Sequence, residues 1–265
     1  MKALWISDIH LEFLEEQQTE RFLQQMKVCS SDCVLISGDI AQAPTVMDSL
    51  NRMEALLQCP IYFVLGNHDY YFGSISESRS SIHALSSESK YLRWLNQSGV
   101  INLTPKTTII GHDSWGDGRL GDFWGSSVIL NDFMLIKELK RQSRQTLLQH
   151  LNNFGEEAAA HFVEVLPKAL ETSDHIVVVT HVPPFREAAW YNGRYCDSDW
   201  LPFFSCKIVG DVLRKVMHNH PEKQMTVLCG HTHGGGTSNI LPNLIVHTGP
   251  AEYGHPAIQK VFDWE

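Results

Sequence analysis

Short apolar runs recur along the chain, and each stops abruptly at an Asp, an Asn or a His. Lys2 to Ser7, Cys33 to Ser37, Ile61 to Leu65, Ile176 to Val179 and Met225 to Cys229 are rich in branched or aromatic residues and too short for helices, which predicts buried parallel strands. Between the first three, Leu14, Phe22, Leu23 and Met26, then Val46, Leu50, Met53 and Leu57, fall at helical spacing among polar residues. Strand and helix therefore alternate, the pattern of an α/β fold with right-handed crossovers and helices on both faces of a sheet. Further on, the pattern predicts a Ser- and aromatic-rich loop over 70–84, a helix near Ser87 to Asn96 ending before Gly99, and a short strand at Thr107 to Ile110. Two helices follow, Lys137 to Leu151 and Glu156 to Leu170, the second ending near Pro167. Leu244 to His247 and Ala257 to Phe262 read as closing strands. Two stretches lack periodicity: 111–132, dense in Gly, Asp and aromatic residues, and 182–206, with Trp190, Tyr191, Tyr195 and Trp200. Irregular loops of this length in a compact domain are usually functional.

The residues that end the strands hold chemistry. Asp8-Ile9-His10, Gly38-Asp39, Gly66-Asn67-His68-Asp69, Thr180-His181 and Gly230-His231-Thr232-His233 each directly follow an apolar run. In an open α/β sheet such strand ends share one edge, where ligands bind. Because these segments span residues 8 to 233 of 265, any simple cut would divide them, and the reading is one domain, 1–265, with loop elaborations near 111–132 and 182–206. Asp8 and His10, two apart on an extended segment, point the same way and offer one ion an oxygen and a nitrogen; His231 and His233 repeat the spacing. Asp39, after the flexible Gly38, is the best bridge between two ions. Divalent ions about 3.5 to 4 Å apart clamp both the attacking and the leaving oxygen of a displacement at phosphorus, and a metal-held hydroxide makes a side-chain nucleophile unnecessary. The mixed N and O set without thiolate suits Mn, Fe, Zn or Co better than Ca or a structural zinc site.

Composition narrows the partners. A net charge of −9 and a pI near 5.8 argue against a protein that coats nucleic acid, whose affinity comes from Lys and Arg on phosphates. The six cysteines have no C-x-x-C spacing, which points to a reducing compartment. No stretch reaches membrane-spanning length and the first strand leaves no room for a leader, so a cytoplasmic protein without a membrane partner is expected. Trp115, Asp117 and Tyr191 are the candidate walls of the substrate pocket, and the Trp and Tyr rings would suit a small phosphorylated molecule such as a nucleotide. His83, His150, His161, His218 and His220 sit in or beside helical patterns and read as structural. The roles of His112, His247 and His255, each near a Gly-rich strand end, stay open.

In order and spacing, the five segments resemble the calcineurin-like metallophosphoesterase family: D-x-H, G-D, G-N-H-D, a lone His and G-H-x-H. The resemblance implies two packed mixed β-sheets flanked by helices, with a dinuclear site at the strand ends. It implies that Asp8, His10, Asp39 and His233 hold one divalent or trivalent ion, and Asp39, Asn67, His181 and His231 the other. His68 would then be a non-ligand that stabilises charge or protonates the leaving oxygen, and Asp69 would orient it by a hydrogen bond. The activity implied is hydrolysis of a phosphomonoester or phosphodiester; the alternative is a catalytically silent scaffold that binds a partner protein. Two positions depart from the pattern. Gln42 stands where the family often has an acid, three residues beyond the G-D aspartate. The G-N-H motif ends in Asp69 and is followed by Tyr70 and Tyr71, unlike the protein-phosphatase branch.

Overall fold

A computed structural model describes residues 1–265. In chain order the elements are β1 (Lys2–Ile6), α1 (Glu16–Val28), β2 (Cys33–Ser37), α2 (Val46–Leu57), β3 (Ile61–Val64), α3 (Ile75–Glu88), β4 (Leu92–Trp94), α4 (Leu95–Ser98), β5 (Ile101–Asn102) and β6 (Thr107–His112). After a long irregular loop come α5 (Asp132–Leu135), α6 (Arg144–Thr172), β7 (His175–Thr180), β8 (Trp190–Tyr191), β9 (Arg194–Tyr195), α7 (Leu201–Phe204), α8 (Lys207–Asn219), β10 (Gln224–Cys229), β11 (Gly236–Leu241), β12 (Leu244–Thr248) and β13 (Ile258–Asp263).

Two mixed sheets result. One has the order β13-β1-β2-β3-β4, parallel except for β13, and the other β11-β12-β10-β7-β6-β5, parallel except for its outer strands. Side chains alternate across each strand, and the two faces go to different layers. Leu4, Ile6, Val34, Ile36 and Phe63 pack on Phe22, Met26, Leu50 and Met53 of α1 and α2. Their neighbours Trp5, Leu35, Tyr62 and Val64 meet Ile109, Val177, Val179 and Leu228 of the second sheet. The far side of that sheet, Ile110, Ile176, Val178 and Val227, is covered by Phe162, Leu166, Leu213 and Met217 of α6 and α8. Helices thus cover one face of each sheet rather than both, and the remaining faces pack on each other. A strand buried on both sides is apolar throughout, so its pattern cannot reveal whether a helix or a sheet lies above it.

Several elements differ from the sequence reading, among them α8, for which no span was predicted. Residues 75–88, which begin inside the expected loop and run past its end, form α3, whose first turn is capped by Ser74 Oγ accepting from Glu77 N and by Glu138 accepting from Ile75 N. The expected helix at 87–96 is the end of α3, strand β4 and the start of α4. The two helices expected between 137 and 170 are one helix of 29 residues that runs through Gly155 and Pro167. Gly155 is there for packing: a Cβ would come within 2.7 Å of Asp117 Cβ. Strand β11, half-exposed and rich in Gly, Thr, Ser and Asn, had no apolar run to announce it. No helix is long and apolar enough to cross a membrane.

Candidate metal centre and its cleft

Both parallel sets aim their carboxyl ends at one edge of the sandwich. Asp8 and His10 follow β1, Asp39 follows β2, Asn67 and His68 follow β3, His181 follows β7, and His231 and His233 follow β10. Ligand atoms of Asp8, His10, Asp39 and His233 lie within 4.8 Å of one another. Beside them, Asn67 Oδ1 is 3.1 Å from His181 Nε2 and 2.9 Å from His231 Nδ1. Asp39 faces both groups, with Oδ2 3.7 Å from His10 Nε2 and Oδ1 3.4 Å from His181 Nε2.

The backbone that delivers these groups is not extended, as the two-residue spacing had suggested. Asp8, His10, Asp39, His231 and His233 have φ values of 49°, 43°, 52°, 69° and 57°. Left-handed backbone is uncommon for residues with a Cβ, although Asp and His tolerate it better than most. Five such residues at one spot mark a place where the surroundings enforce a costly conformation, as functional sites do. Gly38, at φ 90°, completes the turn, and a Cβ on it would stand 2.5 Å from His181 Nδ1.

Hydrogen bonds turn the rings so that lone pairs face inward. His181 Nδ1 is 2.8 Å from the Ser37 carbonyl and His231 Nε2 is 3.1 Å from the Phe203 carbonyl. A carbonyl only accepts, so each outer nitrogen carries a proton and donates it. His10 Nδ1 makes the corresponding approach to Glu12 Oε1 at 3.4 Å. Asn67 is fixed likewise, its Nδ2 donating to Asp132 Oδ1 at 2.9 Å and to Tyr71 Oη at 3.0 Å, which leaves Oδ1 inward. The inner nitrogens then confront each other, His10 and His233 at 3.1 Å, His181 and His231 at 3.2 Å. Crowded lone pairs beside two buried carboxylates, whose ionic partners are histidines alone, repel unless an electron-pair acceptor lies among them. This donor set fits divalent transition ions. The titration of the groups reflects the same crowding. Burial opposes the charge on His181, but Asp39 outweighs it and lifts the ring to about 10, while burial and then His181 push His231 down to about 3. A proton on the inner nitrogen of His181 is the alternative to a cation here, and metal binding would displace it.

His68 stands beside these donors. Its Nδ1 is 3.1 Å from Glu12 Oε1, its Nε2 is 3.4 Å from Tyr253 Oη, and its ring lies 4.2 Å from that of Tyr71. Burial disfavours the charged ring, but Asp39 and then Glu12 outweigh it and raise its pKa. The expected bond from Asp69 to His68 is not made. Asp69 instead accepts from Ile40 N and Ala41 N, both at 2.9 Å, and from Gly66 N at 2.8 Å, tying the turn after β2 to the turn after β3. The carboxylate on His68 is Glu12, which the sequence reading does not single out; its side chain is only 7% exposed. Its position two residues beyond His10 was the signal available. Tyr71 and Asp132 were also missed; Tyr71 lies one turn beyond Asn67, but nothing local marks Asp132.

A cleft of about 220 Å³ opens over the donors, walled by Leu130, Tyr191, Trp200, Phe204 and Tyr253. Of the three residues expected to wall the substrate pocket, Tyr191 lines this cleft. Trp115 and Asp117 do not reach the cleft. Trp115 is buried 5.7 Å from Tyr70 and 5.3 Å from Phe154, ring to ring, and Asp117 is buried, accepting from Arg119 N and from Ile208 N in the first turn of α8. The loop over 111–132 touches the cleft only through its last residues, Leu130 to Asp132. His112 packs against His161, His247 against Trp5 and Phe262, and His255 is exposed.

Residues 1–235 match the family model of the calcineurin-like phosphoesterases, and the chain belongs to that family. Its chemistry is therefore, in general class, metal-dependent hydrolysis of phosphoesters, and the Asp and His cluster is where this chain gathers donors for divalent ions. Among solved structures, a phosphopantetheinyl hydrolase from Mycobacterium tuberculosis aligns with a TM-score of 0.68 at 15% identity, over 95% of this chain and 89% of its own. A dimetal phosphatase from Danio rerio aligns with a TM-score of 0.59 at 14% identity, over 94% and 87%. At such identities the likeness shows the shared fold. No curated protein matches the chain by sequence.

Proposed function

We propose that this protein hydrolyses a phosphomonoester or phosphodiester bond in a small phosphorylated molecule, nucleotides included, at a dinuclear centre bridged by Asp39. The observation that carries the reading is the inward convergence of lone pairs from Asp8, His10, Asp39 and His233 on one side and Asp39, Asn67, His181 and His231 on the other. These sets would hold one ion each. When bound, the ions supply Lewis-acid polarisation of the phosphoryl oxygens and activation of water. The chain does the rest. Ser37 O, Phe203 O, Glu12 and Asp132 hold the ligand side chains in register, because a ligand free to rotate would lose the geometry an in-line displacement needs. His68 presents Nε2 toward the cleft while Nδ1 rests on Glu12, so Nε2–H can donate to a phosphoryl oxygen or to the departing oxygen as charge develops there. The aromatic walls bind the group attached to phosphorus.

The test is turnover of p-nitrophenyl phosphate and bis(p-nitrophenyl) phosphate by protein supplied with Mn, with bound metal counted in the same sample. Hydrolysis of either ester is expected. Bound metal without turnover of either would favour the silent scaffold.

A further inference from the structure

Aromatic rings wall the cleft on both sides, each side seated on histidines of the donor cluster. On one side Phe204 stands edge-on to His231 at 4.9 Å, Trp200 lies 4.9 Å from Phe204, and Tyr191 4.9 Å from Trp200. Across from them Tyr253 is 4.7 Å from His10 and 4.8 Å from His233, and Phe13 is 4.6 Å from Tyr253. Phe13 and Tyr253 leave 49% and 48% of their surface exposed, a tilted pair of rings of which Tyr253 lines the cleft and Phe13 adjoins it, and which folding alone does not require. The cleft's lining contains no Lys or Arg. Its charged groups away from His are the carboxylates Asp39 and Asp132, and Asp132 keeps a buried oxygen, Oδ2, without a partner.

Resting on the hydrolase reading above, we infer that the substrate carries a single phosphate attached, directly or through a sugar, to a planar ring, and that the cleft discriminates against esters bearing further phosphates. Flat rings stack on aromatic side chains whatever their substituents, a contact worth about tenfold in affinity or more per ring. Additional phosphates are normally met by Arg or Lys. Here a second or third phosphate would lie against aromatic faces or beside the Asp132 carboxylate. The single phosphate is accommodated at the donor cluster itself, so the cleft needs no cation of its own.

Three substrates test this: adenosine 5′-monophosphate and ribose 5-phosphate, which lacks the ring, both release a primary alcohol, and adenosine 5′-triphosphate, whose terminal phosphate leaves from an anhydride, adds charge. The monophosphate should be turned over with kcat/KM at least about tenfold above ribose 5-phosphate and above the triphosphate. Trp200→Ala should shrink the first of these ratios about tenfold with metal content unchanged. Phe13→Ala, at an exposed position that folding does not depend on, should shrink it several-fold. Turnover of ribose 5-phosphate or of the triphosphate as efficient as that of the monophosphate, or ratios unmoved in both variants, would overturn the inference and leave the hydrolase reading standing. Turnover of a nitrophenyl ester with none of the three would overturn the inference alone, and absence of turnover of all three and of both nitrophenyl esters by metal-loaded protein would overturn both.

Discussion

At the scale of single residues, Glu12 takes the part that motif reading gives Asp69. The acid next to His68 in sequence ties two turns together through backbone amides, and the acid that reaches the ring comes from the segment after β1. His68→Ala should therefore keep its metal and lower kcat by about a hundredfold. Glu12→Gln keeps a hydrogen-bond acceptor but removes the charge, and should cost roughly tenfold in kcat with KM little changed. The loss in both variants should be larger for esters of poorly leaving alcohols than for nitrophenyl esters, which depart without a proton. A uniform loss across leaving groups would take these residues off proton transfer to the departing oxygen and leave stabilisation of the phosphoryl oxygens. For Asp39→Asn, metal analysis should show both ions weakened; loss of one with activity retained would remove Asp39 from the bridging position.

At the scale of elements, the strand ends were legible because each carries a dense local signature: an apolar run, a turn residue and a metal-binding side chain within a few positions. The layers above the strands were not legible, since Val177 and Val178 look alike in sequence yet face a sheet and a helix respectively. Helix α3 was hidden by its serines, which favour turns in general but here serve a capped first turn. Trp115 looked like a pocket wall because an aromatic loop follows a strand, but a large ring is as useful for closing a core. Helix α6 tests this view of local signals against tertiary context. Pro167 lies on its exposed side, where it removes a helical hydrogen bond. Pro167→Ala should raise stability by about 2 kcal/mol, the helix gain of about 3 less the added entropy of the unfolded chain. Gly155→Ala should do the opposite, because its methyl would press on Asp117, and overpacking of about 1–3 kcal/mol exceeds the gain of about 1 from helix propensity. Urea midpoints of the two variants would decide; a stabilised Gly155→Ala would show that the loop yields.

At the scale of the molecule, two sheets meet face to face and bring the ends of strands from both halves to one edge, so the donors span residues 8 to 233. Asp8, His10 and Asp39 come from one sheet and His181, His231 and His233 from the other. Metal bound there fastens the sheets together and should stabilise the fold, since the unfolded chain offers no such site. Removing metal with a chelator is expected to lower Tm, and restoring it to reverse the change. The most direct measurement adds Mn stepwise to metal-stripped protein while hydrolysis of bis(p-nitrophenyl) phosphate and p-nitrophenyl phosphate is followed beside the number of ions bound. Turnover that appears on binding and levels off at two ions per chain is the predicted result. Full turnover by the stripped protein, or two bound ions with no turnover of either ester, would contradict it.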